Sequence, residues 1–521
     1  MKKRHIWAVL SILAAYFAML GLLVYAESFS PDASILSLKD ALWYSVVTLT
    51  TVGYGDMSPV TPFGKIIGGV FLLLSTSLLA MLVVLIMTFG QVWVRFCLGF
   101  AQSKQWFVFS SLNPATHRLA SAIVKENPSA VLVFPKDDDN KDMASELKKL
   151  GAFFVKGSME DMLSLKKDLT GANLFFMTDD GYANYRDALS FSGKGCSIFC
   201  QSDYSPQSTP VNVTVFSTAD NCARLYWRTN PLPCTAKSVA VIGNGAYMDA
   251  LLAQALQVNM FNPQQSICYH IFADSDRFIK LHPQLAQLLD INQPGADRDS
   301  IIFHTDGWEN GTDIITTADR VIICNGTDEK NLDIYNNLTK YFVPVGQVHL
   351  RLYNPMPDTV SFGNHSRLYT PAVVMRTTLT RTASAMHRIY LQSTGASSPT
   401  WEELSPFTRA SNVSAADHLQ TKIRILMEDD TITDIDSNMC IAAYEKYIRT
   451  KPGKADFYRN LEHDRWMRFH ALYNWTYSPQ RDNNRRMHPS MVPFAQLDKS
   501  TQAKDDYSWQ LLQQLARFLK K

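Results

Sequence analysis

Residues Thr51, Val52, Gly53, Tyr54 and Gly55, followed by Asp56, are the densest piece of potential chemistry in the chain. Glycine accepts backbone angles that other residues avoid. Alternating Gly53 and Gly55 with Val52 and Tyr54 therefore lets successive carbonyls point to one side. Thr51 adds a hydroxyl oxygen at the start of the row. Four such rows around an axis would form rings of oxygens able to replace the hydration shell of a potassium ion. One copy cannot close a ring, so this chemistry calls for a homotetramer.

Such a loop is tolerated at membrane depth only where its backbone lines a cavity. The flanking residues are suited to hold it there. An apolar run at 6–26 has about the 20 residues that a bilayer core requires, and a second uncharged run covers 66–94. Lys2, Lys3 and Arg4 precede the first run and Arg95 follows the second. That places both termini on the cytoplasmic side. Residues 38–50 read as a helix too short to cross a bilayer, with its negative dipole end directed at the loop. Residues 1–100 are thus expected to be a pore domain in contact with membrane lipid.

The string "ALWYSVVTLTTVGYGDMSPVTPFGK" resembles the pore segment of two-helix prokaryotic potassium channels. The resemblance implies a selectivity filter at Thr51, Val52, Gly53, Tyr54 and Gly55, with K+ as the transported ion. It implies an aromatic cuff of Trp43 and Tyr44 behind Tyr54, and a pairing of Trp43 with Asp56. It also implies a multi-pass protein of a prokaryotic plasma membrane. Val47 stands where some members carry a buried Glu. Ser75 stands where many relatives bend the inner helix at a glycine. Ser75 and Thr76 could bend the helix by bonding back to the preceding turn, or could serve as small packing residues; both readings stand. No helix carries the regularly spaced arginines of a voltage sensor.

The remaining four fifths of the 521 residues read as ordinary globular protein with several domains. The formal net charge of +2 gives no reason to expect nucleic acid as a partner. Eight scattered cysteines without a C-x-x-C pair suit a reducing compartment, with neither disulfide frame nor zinc site. Between 104 and 235, apolar strands alternate with amphipathic stretches, the pattern of a doubly wound parallel sheet. The segments "VKGSMEDMLSLKK" and "ANLFFMTDDGYANYRDAL" resemble RCK (TrkA-N) domains, which gate potassium channels and transporters. The phosphate fingerprint G-x-G-x-x-G is replaced by "SSLNPATH". Ser110, Ser111 and Asn113 do not give the close backbone approach of glycines. This unit is read as structural, without a dinucleotide.

The pattern repeats between 236 and 392, which makes a tandem RCK arrangement by resemblance. This copy keeps Gly243 and Gly245, has Met248 in place of the third glycine, and carries Asp274 about thirty residues after Gly243, where a ribose contact would fall. A bound nucleotide and a retained turn without ligand both remain open. Residues 393–521 are helical, aromatic and basic. The string from Glu462, His463, Arg465 and Trp466 to "RRMHPSMVPFAQL" resembles the RyR domain, named from ryanodine receptors. Trp475 and Tyr477 offer flat faces and Arg481, Arg485 and Arg486 offer anion-binding forks. With His488 they suit a nucleotide-like ligand, unless they pack a small helical core. The acids of 434–445 mimic a calcium loop, but Met439 occupies the position that needs glycine.

The expected fold is an α-helical membrane pore (two spans and a pore helix), then two α/β doubly wound Rossmann-like domains, then a mainly α-helical domain. The expected function is a ligand-gated, potassium-selective channel regulated by a nucleotide or phosphorylated small molecule. Two other classes compete. One is an RyR-centred nucleotide sensor with little conduction. The other is a membrane-tethered NAD-dependent enzyme, which leaves the filter string unexplained and for which no catalytic constellation is visible.

Overall fold

The computed structural model describes residues 3–49, 52–70, 73, 98, 101–137, 139–204, 206, 208–295, 297–395, 397 and 399–519, with side chains throughout that set except at 3–13 and 49. Thr51, Ser75, Thr76 and most of the expected span 66–94 lie outside the described residues. The chain divides into two compact units, 1–100 and 101–521.

In the first unit, α1 (Lys3–Glu27) is a 25-residue helix and α2 (Leu38–Leu49) a 12-residue one. Ser37 and Asp40 start α2 with a reciprocal cap. The Asp40 carboxylate accepts from Ser37 N at 2.9 Å, while Ser37 Oγ accepts from Asp40 N at 3.3 Å. Buried Leu20, Leu23, Ile35 and Ala41 pack α2 on α1, and Tyr16 Oη lies 2.6 Å from Ser45 Oγ. Residues 62–70 are helical. Among the described residues no helix is long and apolar enough to cross a membrane. Neither expected span is therefore found as a crossing helix within that set. There the side chains of α1 begin at residue 14, and the second span contributes only 66–70 and 73.

The second unit contains two parallel sheets. The first has β1 (Trp106–Phe109), β2 (Val131–Pro135), β3 (Phe153–Val155), β4 (Asn173–Phe176), β5 (Ser197–Gln201) and β6 (Val213–Phe216), in the order β3-β2-β1-β4-β5-β6. Pairing of Phe109 with Phe175, Phe175 with Phe199 and Phe134 with Phe154 lays a row of phenylalanines across five strands. Neighbouring rings in the row lie 4.4 to 5.7 Å apart. This aromatic layer is the reason such short strands hold together.

The second sheet has β7 (Ser238–Ile242), β8 (Cys268–Phe272), β9 (Asp290–Ile291), β10 (Ser300–His304), β11 (Arg320–Ile323), β12 (Gln347–Arg351) and β13 (Val360–Phe362). Its order is β13-β12-β11-β7-β8-β10-β9. With the short β9 set aside, this is the same double winding as the first sheet. Both sheets reverse direction beside their first strand, the place where open α/β sheets hold ligands.

Helices Thr377–Thr394, Pro406–Asp417, Leu419–Met427, Ser437–Leu472 and Tyr507–Leu515 build the remainder. The long helix is kinked at Lys454 (φ −129°, ψ 16°), just after Pro452. Its second half belongs to the same core as both sheets, through Met467, Ala471 and Leu472. Buried ion pairs reinforce the join. Arg224 donates to both oxygens of Asp417 at 2.6 and 2.9 Å, and Arg468 Nη1 to Asp299 Oδ2 at 2.5 Å.

Candidate functional site

The loop after α2 takes the backbone form its glycines allow. Gly53 has φ 59° and Gly55 φ 73°, and among the described residues no atom stands within 4 Å of a Cβ added at either. The left-handed conformation favours glycine at both positions. Val52 N and Gly53 N both donate to Val47 O, at 3.2 and 3.3 Å, so the loop turns directly off the helix end. Trp43 Nε1 donates to Asp56 Oδ2 at 2.8 Å, and its ring lies parallel to that of Tyr54 with centroids 6.3 Å apart. Tyr44 packs on the Leu20, Leu23, Ile35 and Ala41 cluster.

Sequence reading missed Glu27. It ends α1, is fully buried, and clamps the chain where the 62–70 helix begins. Its Oε2 accepts from Val60 N at 2.9 Å, and its Oε1 from Thr61 N at 3.0 Å and Thr61 Oγ1 at 2.7 Å. Thr61 Oγ1 in turn accepts from Gly64 N at 2.9 Å, capping the helix. A lone carboxylate directly after an apolar run was the available signal.

The two sheets of the second unit share a cleft of about 440 Å³ at their carboxyl ends. Thr178, Asp179, Ser202 and Asp203 line one side, beyond β4 and β5. Tyr247, Tyr353, His365 and Tyr369 line the other. On the first side the turn after β1 also lines the cleft, through Asn113, Pro114 and Ala115, and its own polar groups cap the helix that follows. Asn113 Oδ1 accepts from Thr116 N at 2.9 Å, Pro114 removes one donor from the same helix end, and Asn113 Nδ2 donates to Met177 O at 2.6 Å. Ser110 Oγ accepts from Met177 N and Ser111 Oγ donates to Met177 O. The polar groups that replace the fingerprint thus hold the end of β4.

The corresponding turn on the second side is open. A Cβ on Gly243 would stand 2.8 Å from Cys324 Sγ and 2.9 Å from its carbonyl, so β7 and β11 approach as only glycine permits. Gly245 (φ 80°) caps helix Ala246–Val258 with no side-chain hydrogen bond. Asn244 joins the turn to Asp274, donating to its Oδ2 at 2.9 Å and accepting from its N at 2.7 Å. Gly243, Gly245 and Asp274 are therefore neighbours, with Asp274 exposed. Burial holds the His365 imidazole below its usual pKa.

The five RyR-type candidates separate in the structure. Trp475 is only 5% exposed and stacks on Phe407 at 5.2 Å, so its faces are used in the core. Tyr477 is exposed and pairs with His488 across a two-strand ladder. Arg481 and Arg485 are exposed; Arg481 Nε donates to Asn483 Oδ1 at 2.8 Å. Burial pushes His488 down to about 4, and the nearby Arg481 charge adds to that. The long helix Ser437–Leu472 carries a buried charge cluster. Glu462 Oε2 accepts from Lys422 Nζ at 2.5 Å and its Oε1 from Arg465 Nη2 at 2.8 Å. Ser414 and Ser508 take further donors of Arg465 and Lys422. Glu462 and Arg465 serve the core here.

Residues 8–92 match a family model described as "Ion channel", so the N-terminal part of the chain carries an ion-channel domain. A voltage-gated potassium channel of Aeropyrum pernix is 43% identical over 79 residues, 15% of this chain and 26% of that protein. Potassium voltage-gated channel subfamily A member 10 of Mus musculus is 44% identical over 62 residues, 11% of this chain and 12% of that protein. The chain thus spans about a quarter or less of the length of these relatives. Among solved structures, the GsuK channel bound to ADP is 13% identical, with a TM-score of 0.37, covering 70% of this chain and 96% of that one. The GsuK channel bound to NAD is likewise 13% identical, with a TM-score of 0.36, covering 67% and 78%.

Proposed function

We propose that this chain is the subunit of a tetrameric, ligand-gated, potassium-selective channel of a prokaryotic plasma membrane, with both termini cytoplasmic. The observation that supports it most is the Thr51–Gly55 string within an ion-channel match, together with the left-handed Gly53 and Gly55. Four copies supply the carbonyl rings that one copy cannot. Residues 101–521 form the regulatory part. A nucleotide or phosphorylated small molecule binds the second α/β domain at Gly243, Gly245 and Asp274. A ligand that favours one arrangement of the soluble part shifts the pore equilibrium by its difference in affinity for the two states. Tyr477, Arg481, Arg485 and His488 form a second ligand patch on the RyR-like region; Trp475 supports it from the core.

The reading is tested by potassium and sodium efflux from liposomes carrying the full chain. Potassium flux well above sodium flux is expected, with a rate that changes on adding nucleotide. Equal permeability to the two ions would refute selectivity. No flux under any nucleotide would favour a sensor with little conduction.

A further inference from the structure

Arg351, at the end of β12, is fully buried. Its Nε donates to Asn325 O at 2.9 Å, while among the described residues neither Nη1 nor Nη2 has a hydrogen-bond partner. Of the other buried arginines, Arg224 is paired with Asp417, Arg424 with Asp430 and Arg465 with Glu462, while Arg320 gives its guanidinium donors to Tyr226 Oη and the carbonyls of Asn230 and Pro231. The Arg351 guanidinium instead lies between two rings that line the cleft, 4.7 Å from the Tyr247 centroid and 4.4 Å from that of Tyr353. Aromatic faces compensate a buried cation only in part. Its stem runs over Gly363 (φ 73°), where a Cβ would stand 2.9 Å from Arg351 Cγ. The fold therefore makes room for this side chain.

Tyr247 is the second residue of helix Ala246–Val258, whose amino end has no side-chain cap. An uncapped helix end lies at one wall of the cleft, and behind the tyrosines of that wall lies a buried cation without a carboxylate partner among the described residues. Both favour an anion there. The opposite wall carries the exposed carboxylates of Asp179 and Asp203, which favour hydrogen-bond donors. The cleft is polarised across its width.

We infer that Arg351 reads the phosphate of the regulatory ligand, which lies with its phosphate toward the second α/β domain and its hydrogen-bond donors toward Asp179 and Asp203 of the first. This rests on the reading of the second domain as a nucleotide site. On entry the phosphate displaces one tyrosine face and takes the two free guanidinium nitrogens in a fork, the geometry arginine offers phosphate. The ligand class is a nucleoside phosphate that bridges the two sheets.

Calorimetric titration of the full chain in detergent with ADP, adenosine and inorganic pyrophosphate tests it, with thermal melts of each ligand-free variant as folding controls. Arg351→Gln is expected to weaken ADP and pyrophosphate at least tenfold and leave adenosine unchanged. Arg351→Lys, the variant to use if Gln fails to fold, is expected to retain part of the phosphate affinity. Asp203→Asn is expected to weaken ADP and adenosine but spare pyrophosphate. Equal ADP affinity in folded Arg351→Gln and the native chain overturns this inference alone and leaves the nucleotide site standing. Failure of the native chain to bind all three probes overturns both, whatever the potassium flux.

Discussion

Replacing Glu27 by Ala should loosen the outer part of the pore unit, and Gly64 supplies an internal check. The Glu27 carboxylate accepts three hydrogen bonds, from Val60 N, Thr61 N and Thr61 Oγ1, at 2.9, 3.0 and 2.7 Å. A bond to a charged acceptor contributes about 1.5–3 kcal/mol. The three share one carboxylate and are not additive, so a loss of about 3 kcal/mol is expected. That shifts the balance between ordered and disordered forms of this segment roughly 150-fold. A Cβ on Gly64 would collide with Glu27 Oε1 and stand 2.7 Å from the Thr61 hydroxyl. Gly64→Ala alone should therefore destabilise, although Ala is the better helix former by about 0.5–1 kcal/mol. In the Glu27→Ala background the main clash is gone, so the same change should become neutral or favourable. The assay is potassium efflux from liposomes, with the thermal midpoint of the reconstituted protein beside it. Losses that simply add in the double variant would refute the clamp. So would efflux and melting in Glu27→Ala equal to those of the native chain.

Two further outcomes follow from the C-terminal helices. Glu462→Gln leaves Lys422 and Arg465, 1% and 2% exposed, without their shared counter-charge. A cost of about 3–5 kcal/mol in urea unfolding is expected, read by fluorescence of the buried Trp509. Burial pushes Asp505 up to about 7, with Glu462 adding repulsion; His463 Nδ1 lies 3.6 Å from its Oδ2. A carboxyl raised on folding stabilises below its unfolded pKa of about 3.9, and that contribution is lost as pH rises through about 7. Asp505→Asn should therefore gain stability over the native chain at pH 8 relative to pH 5. An equal difference at both pH values would show that Asp505 titrates normally.

Sequence alone carries the ion-filter reading proposed for Thr51–Gly55 and the double winding of both sheets. Filter-type chemistry depends on residue type at adjacent positions, and Thr51–Gly55 is contiguous. Double winding follows from apolar strands alternating with amphipathic helices, and both sheets have that order. The second domain's turn was legible for the same reason, since Gly243 and Gly245 are punctuation within one strand–helix junction. Tertiary structure decided what depends on distant neighbours. Glu27 acquires its clamp only when Thr61 is brought to it, 34 residues on. Trp475, which in the sequence could be a stacking face or a core residue, is covered by Phe407. Arg351, a charge in an apolar strand, broke the local pattern, yet its meaning needed Tyr247, 104 residues earlier, to lie over it. Local conformational preference is written residue by residue. Desolvation and charge compensation are set by whatever the fold places alongside, and they govern which of these groups can receive a ligand.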